Sequence, residues 1–308
     1  MAPARSAALE ITSYMAVPMI VDDRILGTVT LASTGSGRRV QDRNLALAEE
    51  LTTQVASVVD RARTHQRDQE IAHTLQRTLL PNRLPELPFA SVAARYLPGT
   101  EYLEVGGDWY DVIPLDTSVA AFVVGDVGGH DMIATSIMGR MRSALAAFLL
   151  QHRQPGRALA ELNRFAEATS CARLATVLIV VLDASAGTIT MASAGHQPPV
   201  LATPVGGHAL SVRVGPPISV PTERYEECAT ELDIGQTLLL YTDGLIERRH
   251  RDLDASIGEL VTAVSDAPSR TPGPLCDHVL ERLGASEDRA DDIALLAVQA
   301  QGRVPGTG

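Results

Sequence analysis

Six aspartates between residues 106 and 292 share one local setting. They are Asp108 and Asp111 in GGDWYD, Asp126 in FVVGDVGG, Asp243 in LLLYTDG, and Asp291 and Asp292 in RADDIALL. At each of these four places the acid adjoins an apolar, β-rich run and stands next to a glycine or a second acid. A lone Asp-Gly is an ordinary turn, and each place taken singly reads as one. Together they carry a different implication, because a strand delivers its terminal side chain to one edge of a sheet and several such ends can converge there. Converging carboxylates cannot all ionise unaided, since a like-charge pair already drives one pKa upward. A cation resolves the conflict. No Cys or paired His stands beside these acids, so all-oxygen ligation selects a hard ion, Mg²⁺ or Mn²⁺. Two divalent ions would balance four carboxylates, and such a pair suits in-line displacement at phosphorus by an activated water. Hydrolysis of a phosphate ester is therefore the chemistry indicated. Neither a G-x-S-x-G elbow nor a P-loop occurs to suggest a covalent hydrolase or an NTPase.

Positioning these acids requires a compact mixed domain. Strand-like runs occur at YDVIPL, VAAFVVGDV, ATVLIVVLD, GTITMASAG, LSVRV, QTLLLYTDG and DIALLAVQ, with helical spacing over 133–150, 157–169, 254–264 and 275–283. Most strands follow one another without an intervening helix, which favours an antiparallel α+β sandwich over a doubly wound sheet. Upstream, SYMAVPMIVDDRILGTVTLAS reads as a hairpin turning at DDR. A hairpin is not stable alone in water, so it reads as part of a larger domain or as a pair leaning on another element. After STGSGRR, Asp42 is a plausible N-cap, and Leu47, Leu51, Val55, Val58 and Ala62 recur at helical spacing. Ile71, Leu75 and Leu79 resume that spacing before Pro81. This reads as a connector helix over 42–81 that pairs with its twin in a homodimer, two ordinary surface helices being the plainer alternative.

Composition sets the outer limits. The 308 residues suggest about two domains. A net charge of −11 and only 4% aromatic residues point away from nucleic acid and anionic lipid. Cys171, Cys228 and Cys276 are widely spaced and odd in number, which argues against a disulfide framework and fits a reducing cytoplasm. The longest apolar run, LATVLIVVL, is about half of a membrane span, and MAPARSAALE lacks a signal-peptide core. A cytoplasmic, non-membrane chain is the expectation.

EVGGDWYDVIPL, VVGDVGGHD, SAGHQPPVL, LLLYTDGLIE and ADDIALLAV, in this order, closely resemble the SpoIIE/RsbU-like branch of the metal-dependent (PPM, protein phosphatase 2C-like) serine/threonine phosphatases. The resemblance runs from about Leu75, in LQRTLLPNRLP, to about Val298. YMAVPMIVDDRILGTVTLAS and the helix after it resemble, more weakly, the C-terminal part of a GAF sensor domain. The resemblance implies an αββα sandwich of two mainly antiparallel sheets flanked by helices, with the metals at one sheet edge. It implies four segments: a partial GAF-like part (1–41), the connector (42–81), the phosphatase domain (82–301) and a tail (302–308). It further implies that Asp108 bridges two Mn²⁺ or Mg²⁺ ions, that Asp126 and the Val127 carbonyl lie beside it, and that Asp243 and Asp291 hold the second ion. Asp111 and Asp292 are then supporting residues or alternate ligands. The implied substrate is a phosphoserine or phosphothreonine protein, an anti-sigma-factor antagonist of the STAS type.

Where many relatives have G-D-x-S-G-K-G, this chain has GDVGGHDMIAT. His130 is a general acid for the leaving seryl oxygen or a solvated loop residue. Asp131 is expected to N-cap the helix that starts at Met132 rather than to bind a further ion. His196, within SAGHQPP, is expected to bond backbone groups in a shaped turn, and Arg248 and Arg249 to be solvated rather than to greet a phosphoprotein. The Met-rich helix after Asp131 is expected to pack the core, and in the relatives this region acts as a switch. Two rival functions stand beside the phosphatase: a catalytically silent dimeric sensor or scaffold that binds a regulatory partner, against which the full set of acids speaks, and a hydrolase of small phosphates.

Overall fold

The computed structural model describes residues 11–34, 41, 44–81, 83–99, 106–129, 131–169, 173–247, 252–284 and 291–302, with the backbone alone for 65 and 68–78. The chain divides into two compact units, Met1–Ile71 and Ala72–Gly308. The expected cap Asp42 lies outside the described residues.

In the first unit, β1 (Ile11–Val21) pairs antiparallel with β2 (Arg24–Thr34), Val17 facing Val29. Asp22 and Asp23 turn the chain with φ of 45° and 62°. That left-handed pair is the mirror-image turn whose twist matches the strands, and aspartate tolerates it better than most residues. Helix α1 (Leu45–Leu79) is continuous through the polar middle of its sequence. Within the first unit it buries Ala48, Thr52 and Ala56. Arg63 of α1 donates to the Leu26 carbonyl at 3.2 Å.

The second unit contains, in chain order, β3 (Ala90–Leu97), β4 (Trp109–Pro114), β5 (Val119–Val127), α2 (Met132–His152), α3 (Pro155–Ala168), β6 (Ala175–Asp183), β7 (Thr188–Ala194), β8 (Val200–Thr203), β9 (Gly206–Ala209), β10 (Val214–Gly215), β11 (Cys228–Glu231), β12 (Thr237–Tyr241), α4 (Leu253–Asp266), α5 (Pro272–Arg282) and β13 (Ile293–Ala300). Strands β4, β5, β6 and β7 form one antiparallel sheet, with β11 and the short parallel β10 on the outer edge of β7. The other sheet has the order β3-β13-β12-β8-β9, all antiparallel.

Strand alternation builds the layers. Ala120, Phe122 and Val124 of β5 face Leu238, Leu240, Leu296 and Val298 of the opposite sheet in a shared apolar core. Ala121, Val123 and Val127, on the alternate face of the strand, face Met138, Met141 and Leu145 of α2. On the far side, Leu239, Ile293 and Leu295 pack against Leu260, Leu275 and Val279 of α4 and α5. The result is the expected αββα sandwich. Among the described helices, α2 is long and apolar enough to cross a membrane by length and composition. Its apolar face is nonetheless spent on the sheet, where Met138, Met141 and Leu149 are fully buried.

Three details depart from the expected strands. LSVRV is irregular except at Val214. The β8–β9 hairpin and β11 form without an alternating signal, because such short strands are fixed by their neighbours rather than by their own pattern. Strand β3 lies in the run ASVAARYLPG, which on sequence marks only the onset of the mixed domain.

Candidate metal centre

Asp108 closes the loop that enters β4, and Asp126 is the penultimate residue of β5. These strands are neighbours with Trp109 opposite Gly125, so one further step along the ladder brings Asp108 beside Asp126. Asp243 arrives from the other sheet, where it follows β12 and opens a short 3-10 turn, Asp243–Leu245. The sandwich thus closes three strand ends onto one spot. Carboxylate oxygens of Asp108, Asp126 and Asp243 all lie within 4.8 Å of one another, and Asp108 is only 1% exposed.

Two glycines make this approach possible. A Cβ on Gly107 would collide with the Val127 carbonyl, and one on Gly106 with the Asp292 carboxylate. The Val127 amide donates to the Gly107 carbonyl at 3.2 Å, pinning the loop to the end of β5. The bendable stretch before Asp108 is therefore a close-packed crossing.

The electrostatics follow from the crowding. Burial, then the charges of Asp243 and Asp291, push Asp126 up to about 7. Burial and then Asp126 hold Asp108 well above the ordinary range, while a hydrogen bond from Thr242 opposes this. Asp243 is raised by burial, and Asp291 is raised to about 6, by burial first and then by Asp243 and Asp292. Asp243 Oδ1 is buried with no hydrogen-bond partner among the described residues. Clustered carboxylates that resist ionisation, one of them with an orphaned oxygen, fit hard divalent cations, which take oxygen ligands and supply the missing positive charge.

The remaining expected residues have other surroundings. Asp111 shares the helix-facing side of β4 with Trp109 and Ile113, since alternate residues share a face. Its carboxylate meets Arg142 of α2, Oδ2 to Nε at 2.8 Å and Oδ1 to Nη2 at 3.2 Å. Asp292 accepts from the Tyr96 hydroxyl and from the Gly99 amide, the latter at 2.7 Å. Asp131 caps α2, accepting from the Ala134 amide at 2.8 Å, and that bond leads in holding its pKa below the usual range. Its other oxygen pairs with Arg173, which also donates to the Gly128 carbonyl at 3.1 Å. His130, Arg248 and Arg249 lie outside the described residues.

His196 is buried and structural, as its turn suggested. Its Nε2 lies 2.9 Å from the Tyr241 carbonyl and its Nδ1 2.8 Å from the Thr176 hydroxyl. A carbonyl only accepts, so Nε2 carries the proton and Nδ1 accepts from Thr176. Burial depresses the imidazole pKa to about 4.

Sequence reasoning passed over Thr242, Tyr96, Arg142 and Arg173. Thr242 stands inside the YTDG motif and was within reach. Tyr96 and Arg142 sit in ordinary strand and helix surroundings and Arg173 in the bend before β6, and only the tertiary contacts give them their partners.

Comparison with known proteins agrees with this geometry. Residues 116–301 match the family described as Stage II sporulation protein E (SpoIIE), a span that contains Asp126, Asp243 and Asp291 and begins after Asp108. Residues 2–59 match the GAF domain. Protein IcfG of Synechocystis sp. is 24% identical over 262 residues, covering 74% of this chain and 41% of IcfG. The structure of the RsbU and RsbW domains of Rv1364c from Mycobacterium tuberculosis is 33% identical with a TM-score of 0.67, covering 74% of this chain and 64% of that one. The SiaA-PP2C domain of Pseudomonas aeruginosa shares the fold, at a TM-score of 0.64 and 16% identity, over 78% of this chain and 98% of that domain. This chain thus spans less than two thirds of IcfG and of the Rv1364c chain. With 116–301 matched and Asp126 and Asp243 of that span meeting at one edge of the sandwich, the chain belongs to the SpoIIE family of protein phosphatase 2C-like serine/threonine phosphatases.

Proposed function

We propose that this protein is a Mn²⁺- or Mg²⁺-dependent phosphatase that hydrolyses phosphoserine or phosphothreonine on a protein substrate. The observation that carries the reading is the meeting of Asp108, Asp126 and Asp243 within 4.8 Å at the edge of the sandwich. In this reading Asp108, Asp126, the Val127 carbonyl, Asp243 and Asp291 hold two ions. Asp292, engaged by Tyr96 and Gly99, supports the site, while Asp111, engaged by Arg142, anchors β4 to α2. Bound divalent ions supply positive charge against the phosphoryl oxygens and lower the pKa of water. The chain's own part is to hold its carboxylates converged and to keep the strand ends rigid.

The substrate we assign is an anti-sigma-factor antagonist of the STAS type, in a bacterial partner-switching pathway. Likeness to the RsbU and RsbW domains of Rv1364c supports this. The reading divides the chain into a GAF-like segment (1–41), a connector (42–81), the phosphatase domain (82–301) and a tail (302–308). It makes the protein a cytoplasmic homodimer through 42–80. Supporting the dimer, Leu47, Leu51, Val55 and Val58 form an exposed apolar stripe on α1, from 46% to 66% accessible.

The test uses Trp109, the sole tryptophan and the neighbour of Asp108. Titration of Mn²⁺ into chelator-treated protein changes its fluorescence, and a phosphoserine peptide is hydrolysed only with the metal present. Asp243→Asn abolishes both signals. Turnover without added metal, or a variant that still binds and hydrolyses normally, sinks the reading.

A further inference from the structure

Thr242 follows β12, one residue before Asp243, and is wholly buried. Its backbone amide donates to the Ala294 carbonyl at 3.0 Å, which continues the β12–β13 ladder past its last paired residues. The side chain then does something the ladder does not require. The Ala294 amide donates to Thr242 Oγ1 at 2.8 Å, and Oγ1 lies 2.7 Å from Asp108 Oδ2. Asp108 comes from the opposite sheet, 134 positions earlier in sequence.

The direction of this second bond is determined. A threonine hydroxyl has one proton and two lone pairs. One lone pair is taken by the Ala294 amide, which can only donate. The proton therefore goes to an acceptor, and two are within reach. The Ala294 carbonyl is 3.4 Å away and already receives the Thr242 amide, whereas Asp108 Oδ2 is at the ordinary distance for an O–H···O bond. Asp108 receives it.

We infer that Thr242 is a positioning residue of the metal centre, its hydroxyl, aimed by the Ala294 amide, fixing one oxygen and hence the plane of the Asp108 carboxylate. The inference rests on the metal reading of the Asp108–Asp126–Asp243 cluster. A single turn then serves both sheets: Asp243 contributes a carboxylate to the centre, and Thr242 orients the carboxylate that arrives from β4. Partners that orient ligands in this way commonly govern metal affinity.

The experiment measures Mn²⁺ binding to the full chain by calorimetry and by Trp109 fluorescence for wild type, Thr242→Val and Thr242→Ser. Valine keeps the shape and removes the proton, whereas serine keeps the proton. The expected result is a Kd for Mn²⁺ raised about tenfold or more by valine and restored to within about threefold of wild type by serine, the scale usual for loss of a partner behind a metal ligand. Hydrolysis of p-nitrophenyl phosphate by the valine variant should recover as Mn²⁺ is raised, because the defect is one of affinity. If the valine variant does not fold, as judged by circular dichroism in chelator, Thr242→Ala takes its place under the same criterion. Folded variants without the hydroxyl that bind Mn²⁺ like wild type overturn the inference, and so does a serine variant as weak as valine. Failure of wild type itself to bind Mn²⁺, or undiminished binding by Asp126→Asn, overturns the metal reading instead.

Discussion

Arg142 of α2 ties Asp111 of β4 to Leu79, the last residue of α1. Its guanidinium pairs with both Asp111 oxygens and donates to the Leu79 carbonyl. Asp111 stands three residues from Asp108, yet its charge is committed to the helix side of the sheet. Asp111→Asn is therefore expected to lower stability by about 1–3 kcal/mol, the range for leaving a largely buried charge without its partner. Its Mn²⁺ affinity should stay within about threefold of wild type, as for groups with separate partners. Urea unfolding and calorimetry check the two halves, and loss of metal binding would return Asp111 to the ligand set.

Trp109 and Gly125 form the cross-strand pair next to the acids, and the buried indole lies where a side chain at 125 would be. Even a methyl group there must displace the indole ring or the strand. Gly125→Ala should cost about 1–3 kcal/mol by overpacking and shift Trp109 emission to longer wavelength. Unchanged emission together with unchanged urea unfolding would contradict the packing described.

The acid cluster makes the pH dependence of stability differ in sign between the metal-free and loaded protein. Asp126, held near 7, and Asp108, Asp243 and Asp291, also raised, bind protons in the folded state that the unfolded chain has already released. Metal-free protein must then lose stability as pH rises from about 6 to about 7.5. His196 opposes this only weakly, through protons taken up by the unfolded chain near its ordinary pKa. Saturating Mn²⁺ binds the deprotonated acids and reverses the slope. Melting temperatures at the two pH values, in chelator and in Mn²⁺, measure it.

His196 sets an acid limit of its own. Its folded pKa of about 4 lies below the ordinary 6.5, so the unfolded state binds the extra proton in that window and stability falls as pH falls through it. The full effect is roughly 3 kcal/mol by the size of the shift. His196→Asn should be less stable at neutral pH, with a flatter acid limb in Mn²⁺-loaded protein. An acid limb as steep as that of wild type would show that His196 is not its source.

Much of the fold was legible in the chain because its signals are local. VAAFVVGDV and ATVLIVVLD are the strands β5 and β6 to the residue, and Asp131 before an apolar helical run is the cap it announced. The strand-end setting put Asp108, Asp111, Asp126, Asp243, Asp291 and Asp292 forward as one group before any contact was known, and the family resemblance singled out Asp108, Asp126, Asp243 and Asp291 within it. What the sequence could not determine was which neighbour in an acidic pair turns inward. Asp108 and Asp111 share one hexapeptide, and strand phase together with Arg142, 31 positions away, sends Asp111 to the helices. Asp291 and Asp292 are adjacent, and Tyr96 and Gly99, from nearly two hundred positions earlier, engage the second. Thr242 looked like part of a turn until Ala294 and Asp108 were brought to either side of its hydroxyl. Local pattern determines where a side chain can point. The partners that decide its charge and its role arrive from distant parts of the chain, and only the closing of one sheet on the other brings them within bonding distance.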